Sequence, residues 1–134
     1  MKHLIIYLFF LFIVGCDSES NTIDDDFTIS YVDEPVFRNI YYKNQGIFSN
    51  ISVFYVVFDN DNIMLKGYLL DKNRIDTLYT SYYEINKKEY ILDPNQEKSK
   101  GVIELKDQKA FDKNLLLLKS PRDFHWSLNE NLIK

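Results

Sequence analysis

The chain has 134 residues, a formal net charge of −4, a pI near 5.1 and a single Cys. That length suits one domain. The acidic balance removes the electrostatic case for binding nucleic acid, and one Cys excludes an internal disulfide, a CxxC redox pair and a Cys-rich zinc site.

Met1-Lys2-His3 is a short basic start, and Leu4 to Val14 follows as an unbroken apolar run. As a helix those eleven residues rise about 16 Å, too short for a bilayer core that needs about 20 residues. A basic start and a 7–15-residue apolar run are the marks of a secretory signal peptide. The run ends in Ile13-Val14-Gly15-Cys16, which resembles the lipobox of bacterial lipoproteins. The resemblance implies cleavage between Gly15 and Cys16, acylation (palmitate included) at Cys16, and attachment to a membrane through that residue. A signal anchor with an incidental Cys is the alternative.

Residues 17–26 hold five acids (Asp17, Glu19, Asp24, Asp25, Asp26), no base and one apolar residue, Ile23. High like charge with low hydrophobicity predicts a flexible spacer. The expected organisation is therefore a signal peptide over 1–15, a lipidated Cys with an acidic tether over 16–26, and one globular domain over 27–134. That domain is electrically balanced, with fifteen acids and fifteen bases from Phe27 onward. An acidic run after the lipidated Cys resembles the surface-export signals of Bacteroidetes lipoproteins, which implies the outer membrane over the inner one. An Asp directly after the Cys elsewhere signals inner-membrane retention.

From Phe27 the pattern predicts a mainly β, antiparallel domain, a hairpin meander or open sandwich with at most one short helix. Aromatics reach 16%, with ten Tyr, ten Phe and only one Ala, Ala110, a composition that favours strands over helices. The expected strands are 27–32, 36–42, 51–58, 64–70, 77–85, 89–92, 101–106, 115–119 and 124–128, spaced by turn chemistry. Asn44-Gln45-Gly46 and Asp59-Asn60-Asp61-Asn62 are turns whose side chains bond locally and tolerate left-handed backbone. Asp93-Pro94-Asn95 and Ser120-Pro121 break the chain. Ile51–Phe58 is apolar on both faces except for Ser52 and predicts a central strand covered on both sides. In 77–85, alternation puts Tyr79 and Tyr83 on one face with Ile85, and Leu78 and Tyr82 on the other. Over 106–118, Phe111, Leu115 and Leu118 stand at i, i+4 and i+7. A short helix followed by strand 115–119 is expected, with a single helix through Leu118 as the alternative.

The stretch from Val57 to Leu92 carries Gly67-Tyr68, Lys72-Asn73-Arg74 and Tyr82-Tyr83 followed by Asn86-Lys87. These resemble a degenerate MORN-type repeat of the YwqK kind, whose members are often labelled antitoxins. The resemblance implies a β-hairpin unit and protein binding. The usual turn glycines are replaced by Asn62, Asn73 and Asn86, residues suited to positive φ. An ordinary Tyr-rich antiparallel sheet gives the same residues.

No catalytic motif, metal set or cofactor motif emerges. His125 is the only His after the signal peptide, which excludes sites built on several His. Asp59, Asp61 and Asn62 resemble the start of a calcium loop, but Met64 and Leu70 occupy the positions where an EF-hand needs Gly and Glu. The carboxylate pairs Asp33-Glu34 and Glu84/Glu89 and the mixed-charge stretch 97–113 are the pattern of solvated surface. The expectation is a lipid-anchored envelope protein that binds a protein partner without catalysis, immunity- or antitoxin-like, with no cofactor. A structural envelope-assembly subunit is the runner-up and a small enzyme the third reading. The candidate binding face is Tyr79, Tyr82 and Tyr83 or the pair Tyr41-Tyr42, because Tyr loses little entropy on binding and offers both ring and hydroxyl.

Overall fold

A computed structural model describes residues 20–91 and 99–127. Asp59 ends the strand Ile51–Phe58 because its carboxylate turns back on its own loop, accepting from the Asp61 and Asn62 amides at 2.8 Å each. The next strands follow from similar local chemistry. In chain order they are β1 (Asn21–Thr22), β2 (Phe27–Ser30), β3 (Asn39–Tyr42), β4 (Gln45–Gly46), β5 (Ile51–Phe58), β6 (Asn62–Asp71), β7 (Arg74–Asn86), β8 (Val102–Leu105) and β9 (Arg122–His125), with the helix α1 at Gln108–Leu115 between β8 and β9. They form two antiparallel sheets, ordered β1-β2-β3-β4 and β8-β7-β6-β5-β9. The mainly β, antiparallel architecture, with one short α-helix among the described residues, is as expected.

The β3–β4 hairpin turns on Lys43 (φ 46°) and Asn44 (φ 68°), the two left-handed positions a tight hairpin needs to match strand twist. At the β6–β7 turn the positive φ falls on Lys72 (58°). The residues expected to supply it, Asn62, Asn73 and Asn86, do not take it.

Three layers result. The small sheet covers one face of the large sheet, and α1 covers the other. Between the sheets lie Phe27, Ile29 and Ile40 against Ile51, Val53, Val56, Phe58, Ile63, Leu65 and Ile85. Under α1 lie Val57, Met64 and Phe111, with Tyr55, Tyr82, Leu105, Leu115 and Leu118 around them. β5 is therefore covered on both faces. It keeps both covered by means of a bulge: the register steps from Val53↔Gly67 to Tyr55↔Lys66, leaving Phe54 extra. The bulge switches side-chain parity, so Ile51 and Val53 before it and Val56 and Phe58 after it all enter the same core. Opposite this strand, Gly67 lets the Ile51 side chain lie over its backbone, and a Cβ there would collide with Ile51 Cγ2.

Several boundaries differ from expectation. The fold includes residues assigned to the tether: Asn21–Thr22 pairs with β2, and Ile23 is buried in the inter-sheet core. The acids there cap rather than repel, since Asp24 accepts from the Asp26 and Phe27 amides at 2.9 Å. Strand 36–42 begins as a 3-10 turn, Pro35–Phe37, because the Pro35 ring fixes φ and removes a donor. Residues 115–119 form no strand. Asp107 caps α1 by accepting from Ala110 at 2.8 Å, and the apolar i, i+4, i+7 stripe holds the chain in helical turns to Leu118. Segment 89–92 yields only an isolated bridge, Ile91↔Lys100, and the Asp93-Pro94-Asn95 break lies outside the described residues. So do residue 128 of the last expected strand and the Gly15-Cys16 site.

One polar chain crosses the layers. Lys87, with only 9% of its side chain exposed, pairs with Asp24 at 3.0 Å and donates to the Asp59 carbonyl at 2.7 Å. The Asp59 carboxylate also accepts from the Lys119 amide at 2.9 Å. Burial alone would raise both carboxyls. For Asp24 the Lys87 hydrogen bond and the Phe27 and Asp26 amides outweigh it, and for Asp59 the Lys119, Asn62 and Asp61 amides do; both end below the usual range. A carboxyl held lower in the folded than in the unfolded state stabilises the fold above its unfolded pKa, and the gain disappears as pH falls through the folded value. Stability should therefore fall as pH drops below about 4. Asp24→Asn and Asp59→Asn should each flatten that fall in urea midpoints measured from pH 7 to pH 3, and unchanged slopes in both would contradict this account.

Candidate functional site

The small sheet does not reach across the whole large sheet. Where it stops, a cleft of about 650 Å³ opens between the loop after β4 and the wall formed by Gly101 and β8. Asn39 builds one side. Its side-chain carbonyl accepts from the Ile40 and Phe48 amides, and its amide nitrogen donates to the Phe48 carbonyl. The Phe48 backbone is thereby clamped, and its ring is set 4.8 Å from the Tyr83 ring, tilted by 48°. Ile51 from β5 and Val102 from β8 complete an apolar floor, while Ser49, Asn50, Lys100 and Glu104 stand at the rim.

The other wall depends on Gly101. Its φ of +84° and its approach to the Glu89 and Tyr90 backbone leave no space for a Cβ. Behind it the Tyr90 ring packs on Phe27 and Tyr42. Its hydroxyl is buried, with Ser99 the polar side chain beside it. Tyr83 titrates above the ordinary phenol range because of burial and the Glu104 charge, against a hydrogen bond with Ser81. It presents a neutral hydroxyl at neutral pH. An apolar floor of rings with a polar rim suits binding of a partly apolar ligand. Among the described residues no three His, Cys, Asp or Glu side chains are placed to hold a metal ion.

The five candidate tyrosines do not share one face. Tyr83 lies on the cleft floor. Tyr82 lies on the opposite side of β7, its ring 5.7 Å from Phe111 under α1. Tyr42 packs into the inter-sheet core against Phe27 and Tyr90. Tyr41, one residue away, takes the other face of the small sheet, opposite Ile40 and Tyr42. Tyr79 belongs to a three-residue insertion: the register jumps from Tyr68↔Thr80 to Leu69↔Asp76. Leu78 and Tyr79 both project from it, and Tyr79 is 63% exposed. The expected parity through Tyr79 is thus broken, while Tyr83 and Ile85 do share a face and Tyr82 takes the other. Tyr79→Ala should stay within about 0.5 kcal/mol of the parent. Tyr83→Ala, which removes a ring packed on Phe48 and the core, should cost several-fold more in urea denaturation, and equal costs would contradict these placements.

Sequence reasoning missed Phe48, Val102 and Glu104. The apolar pair Ile47-Phe48 in a loop was the available signal. His125 stands exposed on β9 against the Phe54 and Tyr55 rings, and Trp126 lies 4.3 Å beneath the Arg38 guanidinium; both have packing roles. The stretch resembling a MORN-type repeat runs from the end of β5 through the β6–β7 hairpin. Compared with family models, with curated proteins and with solved structures, the chain matches none.

Proposed function

We propose that this protein is a lipid-anchored bacterial envelope protein whose folded part is a non-catalytic binding module, taking an apolar segment of a partner protein into the cleft beside β8. The observation that carries the binding half is the cleft itself, floored by Phe48, Tyr83, Ile51 and Val102 and rimmed by polar groups. β8 is the terminal strand of its sheet, so an extended segment lying there has strand edge as well as apolar floor to use. The anchoring half rests on Met1 to Cys16, in which charge, apolar run, Gly15 and Cys16 fall in lipobox order. A toxin-like soluble protein is the partner class that the residue 57–92 resemblance implies.

One cellular experiment tests both halves. A photo-crosslinking amino acid at Ser49, on the rim, should capture a defined protein that the same probe at Lys72, on the far hairpin, does not. Phe48→Ala should remove that product. Identical products from both positions would sink the cleft. In the same cells Cys16→Ser should abolish lipid incorporation and signal cleavage; a Ser variant still processed and membrane-bound would overturn the anchor.

A further inference from the structure

α1 ends in an exposed leucine pair. Leu116 is 85% and Leu117 73% exposed, while their neighbours Leu115 and Leu118 pack under the helix. Lys113 and Lys119 flank the pair, both exposed. Two large apolar side chains in water between two long cationic ones fit a membrane interface, where leucines enter the acyl boundary and lysines reach the headgroups.

The position of this pair in the fold is the second observation. Lys119 is tied to Asp59, Asp59 to Lys87, and Lys87 to Asp24, by contacts of 2.9, 2.7 and 3.0 Å. The leucine pair and the Asp24 turn therefore occupy one end of the molecule. Chain order between Cys16 and this end is short. The fold begins by Asn21, five residues after Cys16, and five residues span at most about 18 Å. Residues that read as a ten-residue tether thus leave half that length, and the domain has little room to stand off a bilayer that holds Cys16. Leu78 and Tyr79, the other exposed apolar neighbours, sit toward the opposite end of the large sheet, near the β6–β7 turn.

We infer that the domain docks on the lipid surface through Leu116 and Leu117, with Lys113 and Lys119 at headgroup level, and that the Asp24 end faces the membrane. This rests on the lipid-anchor part of the proposed function. It assigns the membrane a second contact and gives the cleft, on the flank of the sandwich, a fixed orientation to the surface.

The test uses full-length lipidated protein in vesicles of phosphatidylethanolamine and phosphatidylglycerol. With Cys16 acylated, Leu117→Cys supplies the free thiol for an environment-sensitive dye, and Leu78→Cys is the opposite-end control. Docking requires that the dye at 117 shifts to the blue on reconstitution and is quenched by brominated acyl chains, while the dye at 78 stays aqueous. Leu116→Asp in the same background should abolish the shift at 117 without loss of flotation. Floating protein with an aqueous signal at 117 overturns the docking and leaves the anchor intact. A blue signal at 117 already present in detergent-free, vesicle-free protein means the chain itself covers the pair and also overturns it. Dye incorporation into the parent protein would show Cys16 to be free, which is failure of the anchor and separate from the docking.

Discussion

Phe111→Ala is expected to cost about 3–5 kcal/mol of stability and to release α1 from the sheet. Phe111 is the one fully buried side chain of the helix. Its ring fills the second core with Val57 and Met64, stands 5.7 Å from Tyr82 and 6.3 Å from Tyr55, and carries the Lys66 ammonium at 4.8 Å. An eight-residue helix cannot persist in water by itself, so the loss of this one anchor removes both packing and helix. Guanidinium denaturation followed by Trp126 fluorescence checks the cost, and far-UV circular dichroism checks the helix. Phe111→Leu, which keeps most of the volume, should recover the larger part. An Ala variant within about 1 kcal/mol of the parent, against the range expected for Phe→Ala, would mean that α1 is held elsewhere.

Gly101→Ala is expected to destabilise by roughly 2–4 kcal/mol, adding the cost of left-handed backbone to that of overpacking. Two features act together at this residue. Its φ is +84°, and a Cβ would meet Tyr90 N at 2.8 Å and Glu89 C at 2.9 Å. These are backbone atoms, so no side-chain rotation relieves the contact. The residue also forms the wall of the cleft next to Val102. Movement of this strand entry should therefore displace Val102 from the floor and weaken partner capture at Ser49 in parallel with the fall in melting temperature. A Gly101→Ala protein with the parent's melting temperature would show that the backbone here relaxes freely.

Particular residues explain how much of this protein is legible in its sequence. β5 is readable at its ends and in its burial because ISVFYVVF has no polar face to give to water. Such a strand demands a layer on each side, here a sheet and a helix. The Asp59–Asn62 turn is readable because an Asp side chain bonds amides two and three residues ahead. The helix after Asp107 is readable in its apolar stripe, and the expected strand over 115–119 fails because that stripe continues to Leu118.

The candidate site is less legible. Alternation assigns faces only while register is unbroken. The Thr77–Tyr79 insertion in β7 interrupts it, so spacing places Tyr82 and Tyr83 on opposite faces as observed but misplaces Tyr79. Asn39, Phe48, Tyr83 and Gly101 lie on four separate elements, and their meeting depends on how far one sheet overlaps the other. The acidic run over 17–26 likewise has the composition of a spacer; Asp24 caps its own turn, and Lys87, remote in sequence, ties that turn to the large sheet. Local chemistry thus determined strands, turns and helix. Long-range packing, which no window of the sequence contains, decided which tyrosines are covered, where the fold begins and where the cleft opens.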